Sequence, residues 1–161
     1  MKLQKQSLLL SALLLASTIP LSSQVEQAAI LTTGISCGVC AAVSEVNIRR
    51  MPGVDRVTIS LAKETIIVFY KPDGVFSPRG IREVLEPLSV GVVRFQITVR
   101  GRVKEEGGKR FFSAGKDKFI LAASRNDPVV PRDTPVLIEG VLNDRLDPME
   151  VFVMNFKQIK Q

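Results

Sequence analysis

The segment that decides the fold is Gly34-Ile35-Ser36-Cys37-Gly38-Val39-Cys40, which contains both cysteines of the 161-residue chain. The two thiols form a C-x-x-C pattern that follows a short apolar run and precedes a helix-like segment. Two thiolates on one tight loop can face a single soft ion, and sulfur ligands select Cu(I), Zn(II) and similar metals over Mg(II) or Ca(II). The segment therefore predicts a metal site held by Cys37 and Cys40.

The remaining ligand types in the chain narrow the kind of metal site. The sequence contains no His, and its only further sulfur ligands are four Met. A closed four-ligand Zn(II) site would need carboxylates or water to complete it. A two-coordinate bis-thiolate site for Cu(I), or for a thiophilic toxic ion such as Hg(II), fits the available ligands better. Met51 is the nearest downstream thioether, and its place on an apolar helix face predicts a core residue rather than a ligand.

Two other interpretations of the cysteine pair stay open. A thioredoxin-like protein uses the same spacing for thiol–disulfide exchange, although Ser36, Gly38, Val39 and Ala41 are not the aromatic or proline neighbours that usually accompany that site. A purely structural disulfide is the second alternative. It would close so small a loop that little chain entropy would be removed from the unfolded state. We expect metal binding.

Four separate blocks of sequence resemble the heavy-metal-associated (HMA) domain family in order and spacing. They are GISCGVC at 34–40, MPGV at 51–54, VTISLA at 57–62 and IIVFYKP at 66–72. The family includes copper chaperones, the metal-binding modules of copper-pumping ATPases and the periplasmic mercury-binding protein. The resemblance covers residues 28–98 and implies a ferredoxin-like βαββαβ fold in which Cys37 and Cys40 hold the metal. Cu(I) is the expected ion, with Hg(II) and Zn(II) as alternatives.

The chain departs from the family pattern at two positions beside the cysteine loop. Most members carry Met where this chain has Ile35. Many members carry Tyr, Phe or Lys after a glycine that closes the second helix, whereas this chain has Gly91 followed by Val92. Neither change removes a ligand, but residues next to a site tune its solvent access and charge. The departures therefore bear on metal identity and transfer.

Hydrophobic periodicity predicts the same elements without the resemblance. The expected order is a strand at 28–32, a helix at 40–51, strands at 57–61 and 65–68, a helix from Ser77-Pro78, and a strand from Val92. Pro52-Gly53 should end the first helix, and Pro87 should end the second one early. Because the first helix begins at the cysteine loop, its positive dipole end should favour the thiolate form of Cys40.

The last sixty residues show a different pattern, typical of a small all-β unit. Expected strands lie at 96–103, 109–113, 118–122, 135–142 and 149–156, with a long Pro- and Asp-rich connection at 124–134. Five strands with one long connection suggest a Greek-key barrel of OB type over residues 99–161. No linker separates the halves, because 92–103 is almost continuously strand-like. The predicted fold class is α+β, a ferredoxin-like domain followed by a small, OB-like β-barrel.

The net charge of +6 and isoelectric point of 9.6 raise the question of nucleic-acid binding. Residues 101–161 contain 11 Lys or Arg against 9 Asp or Glu, and neither Trp nor Tyr. Their aromatic residues are all Phe, at strand positions where core packing accounts for them. A basic groove with stacking aromatics is therefore not expected, and no nucleic-acid partner is predicted.

The N-terminus has the features of a secretory signal peptide. Lys2 and Lys5 precede an apolar stretch at 8–20, and small polar residues follow at 21–24. This stretch is too short for a comfortable membrane span. We predict a signal peptide at 1–23, export to the periplasm or cell envelope, and no transmembrane span after cleavage. An uncleaved segment that anchors the protein is the alternative.

Enzyme activity is not expected from this sequence. The absence of His excludes a Ser-His-Asp set, and no glycine-rich phosphate loop is present. The predicted function is an exported carrier, or metallochaperone, that takes a soft metal ion to a copper-transporting ATPase or another envelope metal acceptor. Besides the redox alternative, a non-catalytic adaptor that docks to an envelope complex through its second half also stays open.

Overall fold

The computed structural model describes residues 24–122 and 128–160. The predicted signal peptide, residues 1–23, and part of the long connection at 124–134 lie outside the described residues. Among the residues that are described, no helix has both the length and the apolar character needed to cross a membrane.

The first half of the chain, residues 24–100, forms the βαββαβ order that the family resemblance implies. Its elements are β1 (Gln24–Thr33), α1 (Gly38–Arg49), β2 (Val54–Ser60), β3 (Thr65–Tyr70), α2 (Pro78–Leu85) and the start of β4 (Gly91–Glu106). The antiparallel strand order is β2-β3-β1-β4. Buried and half-buried residues alternate along β1 and β3, so one side of each strand faces the core.

Local sequence signals account for the helix boundaries. The Ser77 hydroxyl accepts a hydrogen bond from the Gly80 amide at 3.1 Å, and Pro78 occupies the first turn of α2, where its missing N–H costs nothing. Helix α2 ends at Leu85 and continues as a single 3-10 turn that contains Pro87, as predicted. One predicted strand position differs, because Leu61 lies in the turn after β2 and is 41% exposed.

The second half of the chain, residues 101–160, is a further β region. Its strands are the end of β4, β5 (Lys109–Ala114), β6 (Asp117–Leu121), β7 (Val136–Asn143) and β8 (Glu150–Gln158). Strand β4 pairs with β5, β5 with β6, β6 in parallel with β8, β8 with β7, and β7 again with β4. The pairings therefore form a circuit of five strands that returns to its first member.

Strand β4 belongs to both halves of the molecule. Its 16 residues pair with β1 from Gly91 to Arg100 and with β7 from Phe95 to Gly101. The boundary between the expected domains, 98/99, thus lies inside one strand. Phe95, Ile97 and Val99 of β4 are fully buried, and the buried apolar residues of both halves form one continuous cluster. The halves are accordingly packed as one body.

The predicted placement of the second-half phenylalanines was partly wrong. Phe112 and Phe119 are fully buried, as core packing requires, but Phe152 is 42% exposed and Phe111 is half-buried. Strand alternation explains the difference, since adjacent residues of a strand point to opposite faces. Phe111 is adjacent to Phe112, and Phe152 lies between the buried residues Val151 and Val153.

Candidate metal site

The cysteine loop connects β1 to α1 and supplies the helix cap. Cys37 is the N-cap residue of α1, and its Sγ atom accepts a hydrogen bond from the backbone amide of Cys40 at 3.0 Å. The helix begins at Gly38, two residues earlier than predicted, so both cysteines lie at its N-terminus. The first turn contains no acidic residue. The positive end of the helix dipole therefore faces the sulfur atoms without a competing carboxylate.

Cys37 and Cys40 are joined as a disulfide in this structure, with their Cα atoms 5.3 Å apart. The two sulfur atoms thus meet at one point of the loop, as the metal-site prediction requires of the reduced form. Cys37 is exposed and Cys40 is half-buried, and the intervening Val39 is 74% exposed. A ligand, a reductant or a partner thiol can therefore reach the pair from solvent.

Ile35 and Gly34 fix the position of the cysteine loop on the core. Ile35, which stands where most members of the family carry Met, is completely buried in the core. Gly34 has a φ of +83°, and a Cβ atom at this position would lie 2.6 Å from the carbonyl oxygen of Ser89. Gly34 is therefore required by both backbone conformation and space. Gly38 is not, because its φ is not positive and a Cβ there would meet nothing.

The prediction from sequence that Gly91 closes the second helix beside the cysteine loop is wrong. Ser89, not Gly91, has the left-handed conformation that closes the second helical segment, with a φ of 56°. The residue after it is Val90, which is 3% exposed and whose Cα lies near Gly34. Val90 is thus the buried residue beside the loop. The misassignment arose because glycine is the usual residue at such a closing position, whereas serine is uncommon there.

Met51 lies at the far end of α1 from the cysteines. A helix of 12 residues is about 18 Å long, so the Met51 thioether is remote from Cys37 and Cys40. Met51 packs against the core, with its methyl group close to Gly80 of α2. Within 24–122 and 128–160, no group of three or more His, Cys, Asp or Glu side chains could hold a metal ion. The cysteine pair is therefore the candidate site in the described part of the chain.

Two ionisable groups with shifted pKa values, Tyr70 and Asp117, lie where the two halves meet, away from the cysteine loop. Burial raises the pKa of Tyr70, at the end of β3, and the carboxylate of Asp117 raises it further. Burial also raises the pKa of Asp117, at the start of β6. Both groups belong to the packing of the two halves and not to the candidate site.

Comparisons with known proteins give a partial match to copper proteins. No protein-family model matches the chain. A copper-exporting P-type ATPase of Bacillus subtilis (strain 168) is 37% identical over 71 residues, which are 44% of this chain and 9% of that protein. The chain thus spans about a tenth of the length of this curated relative.

Two solved structures are also similar to part of the chain. The N-terminal soluble domains of Bacillus subtilis CopA share 34% identity, with 53% of this chain and 54% of that chain covered and a TM-score of 0.38. A CopZ metallochaperone shares 24% identity, with 42% of this chain and 98% of that chain covered and a TM-score of 0.39.

The 37% sequence identity with the ATPase segment agrees with the fold of the first half of the chain. Its six elements follow in the order βαββαβ, and its two cysteines lie on the first loop, at the N-terminus of α1. The resemblance seen in the four sequence blocks is thereby confirmed. The first half of the chain, with its C-x-x-C pair Cys37 and Cys40, is a heavy-metal-associated domain.

Proposed function

We propose that the reduced protein is a carrier of Cu(I), which it holds between the Sγ atoms of Cys37 and Cys40. The observation that carries this proposal is the meeting of two sulfur atoms on an exposed loop that caps a helix N-terminus. Thiolates are soft ligands that prefer Cu(I) to the hard cations. The positive end of α1 lowers the cost of holding two negative sulfurs close together.

The same geometry suits transfer as well as capture. With the disulfide reduced, the chain offers two sulfur ligands, and Cys37 is open to solvent. A third thiolate from an acceptor can approach such an ion and take it over. The copper-exporting ATPase to which the chain is similar suggests an acceptor of that class, or another metal acceptor of the cell envelope. Carriage requires no catalysis.

A Cu(I) titration of the reduced protein against a competing chelator tests the carrier function. One Cu(I) per chain should bind, and X-ray absorption should show two sulfur neighbours and no nitrogen shell. Cys37→Ser or Cys40→Ser should weaken binding by orders of magnitude, because a hydroxyl is a poor ligand for a soft ion.

Met51→Leu is the matched control for these substitutions. It also removes a sulfur atom but lies at the other end of α1, so Cu(I) affinity should remain at the parent value. Parent-like Cu(I) binding by the Cys37→Ser/Cys40→Ser protein would exclude the carrier function. A large loss with Met51→Leu would contradict the assignment of Met51 to the core.

Thiol–disulfide exchange is the second candidate, and the observed disulfide favours it. Reduction of the pair by a dithiol reductant takes up two electrons and two protons and yields two thiols, from which Cu(I) displaces the protons. The reduction potential of the pair distinguishes the candidates. A potential near those of dithiol oxidoreductases, about −270 to −120 mV, together with weak Cu(I) binding would favour exchange.

We propose that the protein is exported and that residues 1–23 are removed as a signal peptide. The basic start and short apolar stretch of this segment support the proposal. Strand β1 begins at Gln24, and Val25 is 1% exposed in the core, so cleavage beyond Gln24 would cost core packing. N-terminal sequencing of the protein from its native host should find a start at or just before Gln24. An intact Met1 in washed membranes would establish an anchor instead.

We also propose that the five-strand circuit of the second half is a small closed barrel of OB type. The return of the pairings to β4 and the parallel β6–β8 pair support this proposal. Residues 96–100 of β4 have partners on both sides, whereas β2 lies at the edge of the sheet. Amide hydrogen exchange should therefore be slow at every position of 96–100 and fast at alternate positions of β2. Fast exchange along β7 would contradict closure.

A further inference from the structure

A groove of about 270 Å³ lies between β4, β7 and β8 on the surface of the molecule. Val93, Val141 and Phe152 give it an apolar lining, and Arg94 and Arg145 add two cations. Val93 and Phe152 are 54% and 42% exposed. Leu146, next to Arg145, and Met154, two residues after Phe152 on β8, are also exposed large apolar side chains. Exposed apolar side chains that line a groove are typical of an interaction surface.

The charges of the groove are unbalanced. Its carboxylate, Asp144, already accepts hydrogen bonds from the guanidinium of Arg82, at 2.7 Å from Nε and 3.0 Å from Nη2. Within the described ranges, neither Arg94 nor Arg145 forms an ion pair through its side chain. The guanidinium groups of Arg94 and Arg145, which have no carboxylate partner among the described residues, lie beside apolar lining residues. They therefore complement a ligand that combines carboxylates with apolar side chains.

The groove lies on the same end of the molecule as the cysteine loop. On β4, Gly91 is the register partner of Thr33, which directly precedes Gly34, and Arg94 is the partner of Leu31. Gly91 and Arg94 are three positions apart on the strand, a distance of about 10 Å. A protein segment bound in the groove would therefore lie at the end of β4 that pairs with the start of the cysteine loop.

We propose that this groove docks an acidic, partly apolar peptide segment of the protein that exchanges metal with the cysteine pair. The proposal deepens the carrier function and rests on it for the identity of the partner. It also gives the second half a role, since β7, β8 and the loop between them supply Val141, Arg145 and Phe152. The concave shape and the paired arginines favour a peptide over a flat anionic membrane surface.

Fluorescence anisotropy with the full chain tests the proposal directly. The probe is a short labelled peptide of alternating aspartate and leucine, and the control probe carries lysine in place of aspartate. Arg94→Glu and Arg145→Glu should each weaken binding of the acidic peptide at least about tenfold, because each replaces attraction by repulsion. Phe152→Ser should weaken it without a change of charge. Lys109→Glu, the same charge change at an exposed β5 position away from the groove, should change affinity less than about twofold.

The outcomes separate the groove from the carrier function. Equal losses with Lys109→Glu and Arg94→Glu would show unspecific attraction and overturn the proposal, as would the absence of saturable binding. Cosedimentation with anionic phosphatidylglycerol vesicles that is lost in the two arginine variants, without peptide binding, would assign the groove to a membrane surface instead. If the Cys37→Ser/Cys40→Ser protein binds the peptide normally while the parent fails to bind Cu(I), the docking groove stands and the carrier function fails.

Discussion

The two halves of the molecule bury their apolar side chains in different ways. In the first half, α1 and α2 pack on the sheet, with Ile48, Ile81 and Leu85 buried beneath them. In the second half, strands alone supply the buried residues, and their pairings return to β4. The first half therefore leaves a loop and a helix terminus free to present Cys37 and Cys40. The second half contacts this site only indirectly, since β7 pairs with β4 and β4 pairs with β1, the strand that leads into the cysteine loop.

The largest expected effect concerns the continuity of the two cores. Phe112 of β5 is fully buried, so Phe112→Ala should cost about 3–5 kcal/mol of unfolding free energy. Because the cores share β4, the loss should destabilise both halves together. Tyr70, at the end of β3, is the one tyrosine of a chain without Trp, so its fluorescence follows this part of the first half and its junction with β6, whereas far-ultraviolet circular dichroism follows both halves as a whole. The two denaturation curves should shift equally.

The neighbouring residue provides the control for this prediction. Phe111 precedes Phe112 but lies half-buried on the outer side of β5, with Lys118 Nζ 4.2 Å from its ring centroid. Phe111→Ala should cost only about 1 kcal/mol. A tyrosine signal that stays at the parent midpoint while circular dichroism shifts in Phe112→Ala would show that the halves unfold independently.

The two halves were also unequally predictable from sequence. In the first half, the C-x-x-C loop, the Ser77-Pro78 cap and the alternation of β2 and β3 specify their elements through local chemistry. Strand alternation located the second-half strands equally well, to within a few residues, but could not choose their partners. The return of β7 to β4 joins residues about forty positions apart, and such long-range pairing leaves no local signal.

The errors near the candidate site have a common cause. The loop neighbour was assigned by the identity of Gly91, whereas the backbone places Ser89 in the left-handed conformation and Val90 against Gly34. The groove residues Arg94, Arg145 and Phe152 come from three separate segments, so no sequence motif unites them. Tertiary packing, and not local preference, decides both features.

An intermediate effect is expected from the ion pair that ties the halves together. Arg82 of α2 binds Asp144 through two hydrogen bonds, donates a third to the Val92 carbonyl at 3.0 Å, and stacks 5.1 Å from the Phe95 ring centroid. Asp144 is 13% exposed, so Arg82→Ala would leave a partly buried carboxylate without its partner. The cost should be about 2 kcal/mol, measured by chemical denaturation.

The same helix supplies the control for Arg82. Arg79 forms an ion pair with Glu83 one turn away, at 2.8 Å, but its side chain is 90% exposed. Arg79→Ala should therefore cost less than about 0.5 kcal/mol. Similar losses for Arg79→Ala and Arg82→Ala would mean that the contact between α2 and the β7–β8 loop contributes little to holding the halves together.

The smallest effect is expected at Tyr70, where the end of β3 meets the start of β6. The Tyr70 hydroxyl is buried and finds no hydrogen-bond partner among the described residues. A buried hydroxyl without a partner loses its hydration and gains nothing in return. Tyr70→Phe should therefore leave the unfolding free energy at neutral pH unchanged or raise it by up to about 1 kcal/mol. A loss of 1 kcal/mol or more would show that the hydroxyl has a partner.

Alkaline pH should separate the Tyr70→Phe variant from the parent more clearly. Burial raises the pKa of Tyr70 in the folded state, and the nearby carboxylate of Asp117 adds to this shift. A raised folded-state pKa means that unfolded chains release the phenol proton first, at the ordinary tyrosine pKa of about 10. The stability associated with neutral Tyr70 is therefore complete below pH 10 and is lost as the pH rises further. Above pH 10 the parent should lose stability faster than Tyr70→Phe, as measured by denaturation at a series of pH values.

Asp117→Asn should reduce that difference, because it removes the second cause of the shift while leaving burial in place. Parallel pH profiles for parent and Tyr70→Phe would contradict a buried phenol at the junction of the two halves.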